Sequence, residues 1–316
     1  MELTLDRVWH QNLNPFDFLV RSARVYPDKV AVTYNDQQYT YAQLYGRVNK
    51  LAGALKSVGG ERGDRVAFLL PNIPPMLEAH YGPMSICATL VALNYRLSSR
   101  EIAYIIQHSG AKVLIFDSEL APVIREVKDH VTCVVTYVQV VDVAPQADDI
   151  PGLDYETFLS SAPTGDHHSE LDSELDTIAI NYTSGTTGVP KGVQYHARGA
   201  YLNALGEVIE LGLTPRSNYL WTLPMFHCNG WCYTWAVTAV GGTHNCLRRV
   251  DPVEIYRLIR EKKITHMCGA PTVLISMYSS PAAEGQDLTG LTIATAGAPP
   301  SPHIIRTIEG MGAFIH

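Results

Sequence analysis

Residues 182–193 read Tyr-Thr-Ser-Gly-Thr-Thr-Gly-Val-Pro-Lys-Gly-Val, and their side-chain types converge on one task. Gly185, Gly188 and Gly192 let backbone N–H groups turn toward an anion. Thr183, Ser184, Thr186 and Thr187 add hydroxyl donors, and Lys191 adds a mobile full charge. Together these make a phosphate cradle. It is not the G-x-x-x-x-G-K-S/T loop, because Pro190 stands at the second glycine and Gly192 follows the lysine. The plainer alternative is a Gly/Thr turn between a strand and a helix. A short buried strand is predicted over Asp176–Ile180 and a helix over His196–Leu211, whose N-terminus would favour an anion.

Two further stretches follow predicted strand ends, where ligand sites form in α/β folds. In Pro224-Met225-Phe226-His227-Cys228-Asn229-Gly230-Trp231, Phe226 and Trp231 offer flat apolar walls and His227 a titratable ring. Trp231 reads equally well as a core aromatic. His227, Cys228 and Cys232 suggest a metal site, yet there is no C-x-x-C pair and the surroundings are aromatic, so the thiols read as buried and no metal ligand is assigned. Ala296-Gly297-Ala298-Pro299 is either a ligand-facing loop or a strand-to-helix turn with proline at N1.

The twelve-residue stretch 182–193 closely resembles the signature loop of the adenylate-forming enzymes, which comprise acyl-CoA synthetases, luciferases and peptide-synthetase adenylation domains. The resemblance extends over nearly the whole chain, through Thr40–Leu44, Gly63–Ala67, Ala88–Asn94, Met225–Trp231 and Ala296–Pro299. It implies that Thr183, Ser184, Gly185, Thr186, Thr187, Gly188 and Lys191 hold the β- and γ-phosphates of ATP, with Thr187 and His227 catalytic. It also implies that Gly297, Ala298 and Pro299 lie against adenine, and that Phe226, His227, Asn229, Gly230 and Trp231 line the acyl site. The aromatic segment is most similar to fatty and related acyl-CoA synthetases. The implied substrates are a carboxylic acid, ATP with Mg2+, and CoA. Acyl-adenylate and pyrophosphate form first, and the CoA thiol then displaces AMP.

The family's Tyr-Gly-x-Thr-Glu segment, ribose-binding acid, hinge arginine and C-terminal catalytic lysine have no counterpart in these 316 residues. The resemblance therefore implies an incomplete N-terminal AMP-binding domain, without the family's small barrel and C-terminal domain, that is inactive alone in acyl-CoA synthesis. A non-catalytic nucleotide-binding fragment or interaction module, and a peptide-synthetase adenylation domain, stay open as readings.

The elements that must position these residues alternate between strand and helix. Arg65–Leu70, Thr89–Leu93 and Val113–Phe116 are short apolar runs of the kind buried on both faces of a parallel sheet. Thr40-x-x-Gln43 and Ser98-x-x-Glu101 are capping boxes that open helices with apolar stripes. Pro83 must break a helix predicted over Pro74–Cys87. A strand is predicted over Val131–Val141, and Gln146–Glu174, rich in Pro, Gly and acids, reads as mostly loop. The expected fold is α/β, with two stacked, mostly parallel sheet subdomains and helices on both faces. The first subdomain spans about residues 62–193; the second spans about 15–61 plus 194–316.

Composition limits the partners. Eleven of the 31 acids and none of the 24 basic residues fall between Asp129 and Pro190, while the rest of the chain carries 24 basic against 20 acidic residues. No basic face suits nucleic acid. No apolar run approaches the roughly 18 residues of a membrane span. Residues 1–6 lack the features of a signal peptide and the six cysteines are scattered, so a cytoplasmic protein with reduced thiols is expected. Oligomeric state is not legible.

Overall fold

The computed structural model describes residues 11–163, 165–183 and 189–316. Strands β1 (Val30–Tyr34) and β2 (Gln37–Thr40) begin one sheet. The other holds β3 (Arg65–Leu69), β4 (Thr89–Ala92), β5 (Val113–Asp117), β6 (Thr136–Val140), β7 (Leu153–Asp154), β8 (Thr177–Thr183) and β9 (Lys191–His196). The chain then returns to the first sheet with β10 (Asn218–Leu220), β11 (Thr243–Asn245), β12 (His266–Cys268), β13 (Thr292–Ala294) and β14 (Phe314–Ile315). Among the described residues these make two open seven-stranded sheets, ordered β14-β13-β12-β10-β11-β1-β2 and β7-β6-β5-β3-β4-β8-β9. Neither closes into a barrel. Pairing is parallel except in the edge hairpins β1–β2 and β8–β9.

Local chemistry accounts for these elements. Every residue of β4 and β5 is buried, so helices must cover both faces. Both capping boxes close: Thr40 accepts from Gln43 N while Gln43 accepts from Thr40 N, and Ser98 and Glu101 do the same. Gly110 then ends its helix at φ 65°, in the left-handed region that glycine adopts without a Cβ clash. The proline-broken helix appears as Pro74–Ala79 and Gly82–Ser85.

Three expectations are corrected or refined. The strand predicted over Val131–Val141 is confined to Thr136–Val140, because exposed Val135 and the residues before it belong to a loop. The stretch expected to be mostly loop is so, and it also contains β7 and a helix, Tyr155–Ser160, capped by Asp154, whose carboxylate accepts from Glu156 N and Thr157 N. This helix buries Tyr155, Phe158 and Leu159, and six residues are too short to display a helical period. The third concerns the end of the stretch expected to cradle phosphate. The helix predicted over His196–Leu211 is present as Ala197–Glu210 with His196 as its N-cap, but the edge strand β9, which was not predicted, precedes it. The four residues Lys191–Gln194 are all exposed, so no alternation marks the strand in sequence.

One buried cluster joins the sheets, with Phe68, Leu90 and Ile115 from one packed with Val32, Tyr219 and Trp221 from the other. Two charged knots reinforce it. Arg248, just after β11, donates to fully buried Asp117 at the end of β5 with both distances 2.9 Å, and to Asp142 and Glu119 at 2.6 Å. Arg47 bridges buried Glu78, at 2.5 Å, to Glu156, while Tyr155 Oη donates to Glu78 at 2.7 Å. Among the described residues, no helix is long and apolar enough to cross a membrane.

Candidate active site

Strand β10 lies between β11 and β12, and the chain goes first to one side of it and then to the other. Such a switch point opens a crevice at the carboxyl ends of the strands. A cavity of about 650 Å³ lies there, walled by Thr222–Pro224 after β10, Cys268–Ala270 at the end of β12 and Ala294–Gly297 at the end of β13. The segment after β4 of the other sheet adds Asn94 and Arg96. Phe226, His227 and Trp231 stand on the same wall.

Two asparagines fix this wall, and the sequence reading missed both. Asn72, buried after β3, donates to Trp221 O at 2.9 Å and Leu223 O at 2.8 Å and accepts from Met225 N at 2.8 Å. Asn181 of β8 donates to Phe226 O at 2.8 Å. Each ties the segment after β10 to the other sheet. The available signal was an amide side chain within or just after an apolar strand, where it has no role in packing.

The next turn is left-handed. Cys228, Asn229, Gly230, Trp231 and Cys232 all have φ between 50° and 65°. For the four that are not glycine, this conformation costs roughly 1 kcal/mol or more each. Gly230 is required for a second reason, since a Cβ would lie 2.5 Å from the Trp221 ring. The turn separates the candidate residues. Trp231 projects outward and is 49% exposed, which excludes its reading as a core aromatic. Asn229 is fully buried and Gly230 packs on Trp221, so these two lie behind the wall and not on the cavity.

Behind the turn lie two neutral imidazoles. Burial holds His80 down to about 4, while its Nδ1–H donates to Met76 O at 2.8 Å. Burial and then the neighbouring His80 hold His244 down to about 3. Its Nδ1 accepts from Trp221 Nε1–H at 3.1 Å, which leaves the proton on Nε2, 2.9 Å from Thr238 Oγ1. On the cavity side, a hydrogen bond with Cys228 raises His227, and the same contact lowers the Cys228 thiol. Phe226 meets Tyr95 edge-on at 5.3 Å, and Arg96 lies over both rings.

Thr183 and Lys191 face each other as a cross-strand pair at the mouth of the β8–β9 hairpin. Both are exposed, and Lys191 forms no ion pair among the described residues. Ser184, Gly185, Thr186, Thr187 and Gly188 lie outside the described residues. Since β9 intervenes, the helix N-terminus expected to assist the loop begins six residues beyond Lys191. Gly297 reaches the cavity at φ 89°, whereas Ala298 and Pro299 are exposed beside it. Among the described residues, no group of three or more His, Cys, Asp or Glu is placed to hold a metal.

A family model described as AMP-binding enzyme matches residues 19–315. The chain is 37% identical over 312 residues to a 4-hydroxybutyrate–CoA ligase of Metallosphaera sedula, covering 97% of this chain and 57% of that protein. It is 37% identical over 324 residues to a 2-methylpropanoate–CoA ligase of Humulus lupulus, covering 95% and 55%. The chain thus spans little more than half the length of these relatives. Among solved structures, the N-terminal domain of FACL13 from Mycobacterium tuberculosis superposes with a TM-score of 0.86 at 26% identity, covering 96% of this chain and 74% of that one.

Proposed function

The chain belongs to the AMP-binding enzyme family, and from that premise we propose that it forms the nucleotide- and acid-binding part of an enzyme that activates a carboxylic acid, of the aliphatic or fatty type, as its adenylate and passes the acyl group to CoA. The observation that carries the reading is the Thr183–Lys191 pair at a hairpin mouth, in a fold whose carboxyl strand ends also frame the cavity. The substrate carboxylate attacks the α-phosphorus of ATP, the bond to the bridging oxygen breaks, and pyrophosphate leaves with the electron pair. Lys191 and Thr183, completed by Ser184–Gly188, hold the charge that collects on the leaving group, and charge-assisted contacts to phosphate are the strong ones. His227 stands near the reacting carboxylate, Gly297 borders the adenine, and Phe226 and Trp231 form the acyl wall.

Mg2+ arrives with the nucleotide as part of the substrate, since among the described residues no group of three or more His, Cys, Asp or Glu is placed to hold it. Transfer to CoA is the second half of the proposed reaction. Residues 1–316 alone are expected to bind nucleotide and acid without sustaining thioester synthesis, a reading supported by their covering 57% of the Metallosphaera relative. A reducing, cytoplasmic setting fits six cysteines, none of them in a disulfide.

Calorimetric titration of ATP and AMP into the wild type and Lys191→Ala tests the phosphate assignment. ATP affinity should fall roughly ten- to a hundredfold, the range of a hydrogen bond to a charged group, while AMP affinity changes little. Equal losses for the two nucleotides would remove Lys191 from the pyrophosphate side.

A further inference from the structure

The cavity is not uniformly apolar. Glu207 and Glu210, on helix Ala197–Glu210, both line it. Glu207 is half-buried and accepts from Tyr233 Oη at 2.5 Å. Burial raises its pKa, opposed by Tyr233 and Trp231, and the carboxylate of Glu210 raises it further. No cation is among them. A carboxylate has about four acceptor positions, and the Tyr233 hydroxyl leaves most of that capacity open.

Two consequences follow for an acid in this cavity. Its own carboxylate is repelled by Glu207 and Glu210, so the reacting end must point away from the helix, toward the wall that carries Arg96 and His227. Its tail then meets Glu207. A plain alkyl tail strips water from that carboxylate and returns nothing, whereas a tail carrying a hydrogen-bond donor completes its shell. Resting on the adenylation reading above, we propose that Glu207 selects the acid by its tail: the cavity takes a short carboxylic acid bearing a hydroxyl or ammonium donor at the end remote from the carboxylate, in preference to an alkyl tail of equal length.

The test uses hydrolysis-stable acyl-adenylate mimics, acylsulfamoyl adenosines with alkyl, ω-hydroxyalkyl and ω-aminoalkyl chains of equal length, titrated into wild type, Glu207→Leu and Glu207→Gln. Binding needs no turnover. In the wild type at least one donor-bearing mimic should bind roughly ten- to a hundredfold tighter than the alkyl mimic. Glu207→Leu should erase that ratio. Glu207→Gln, which keeps an acceptor and the side-chain shape, should retain part of the hydroxyl preference and lose the ammonium preference. Thermal unfolding of each variant confirms that it is folded, and the glutamine variant alone decides if the leucine one is not. Equal affinities for all three mimics in the wild type, or a ratio untouched by both substitutions, overturns the proposal while leaving adenylation intact. Failure of every mimic to bind contradicts the adenylation reading, and the proposal with it.

Discussion

At the scale of single residues, Trp231 shows how a side chain's setting decides its role. A fully buried tryptophan truncated to alanine destabilises a protein by roughly 3–5 kcal/mol. Trp231 is 49% exposed on the cavity wall, so Trp231→Ala should lose well under that amount and instead change which acids bind. Acyl-adenylate mimics of graded chain length, with melting temperatures alongside, measure both effects. A collapse in melting temperature with unchanged relative affinities would return Trp231 to a structural role. The cluster Phe226, His227 and Trp231 was legible because aromatic and imidazole side chains crowd behind a strand end. Asn229 and Gly230 belong to the same run of sequence but turn inward, which no linear spacing reveals, since five successive left-handed residues obey neither helical nor strand periodicity. Glu207 was invisible for the opposite reason: an acid on an exposed-looking helix reads as solvated until the cavity beside it is seen.

At the scale of elements, the left-handed turn depends on what lies behind it. His80 and His244 are buried and neutral down to about 4 and about 3, whereas an unfolded chain protonates histidine near pH 6.5. Below that pH the unfolded state binds more protons than the folded one, so stability is fully present above about 6.5 and falls as pH drops toward 4. At pH 5 each imidazole accounts for a loss of about 2 kcal/mol. The raised carboxyls of Asp17 and Glu207 act in the opposite direction, but both side chains are partly exposed and offset little of it. Denaturant unfolding at pH 7.5 and pH 5.0 should therefore show a clear loss at the lower pH, and equal stability at both would mean that these histidines are not buried neutral in solution. Most elements were legible from caps and apolar runs: Thr40 with Gln43, Ser98 with Glu101, and Asp251 before Pro252 each mark a helix start that the structure contains. Strand β9 and helix Tyr155–Ser160 were not, one because it lies exposed at a sheet edge, the other because burial of Tyr155, Phe158 and Leu159 depends on contacts distant in sequence.

At the scale of the whole molecule, the site exists because two sheets meet. Asn72 and Asn181 hang the wall of one sheet from strands of the other, and the Arg248 and Arg47 knots hold the sheets in the relation that lets them do so. The α/β class and the two parallel sheets were legible from the alternation of elements, whereas the residues that cross between sheets were not, since partners such as Arg248 and Asp117 are 131 positions apart. The central claim, that this architecture binds a carboxylic acid and ATP so that pyrophosphate departs, is tested most directly by acid-dependent exchange of labelled pyrophosphate into ATP. The assay compares residues 1–316 with the same residues followed by a C-terminal region of the Metallosphaera relative. Exchange that appears only when acid is added, is stronger in the longer chain and is lost in Lys191→Ala is the predicted result. Tight ATP binding with no acid-dependent exchange in either chain would contradict it and leave a nucleotide-binding module.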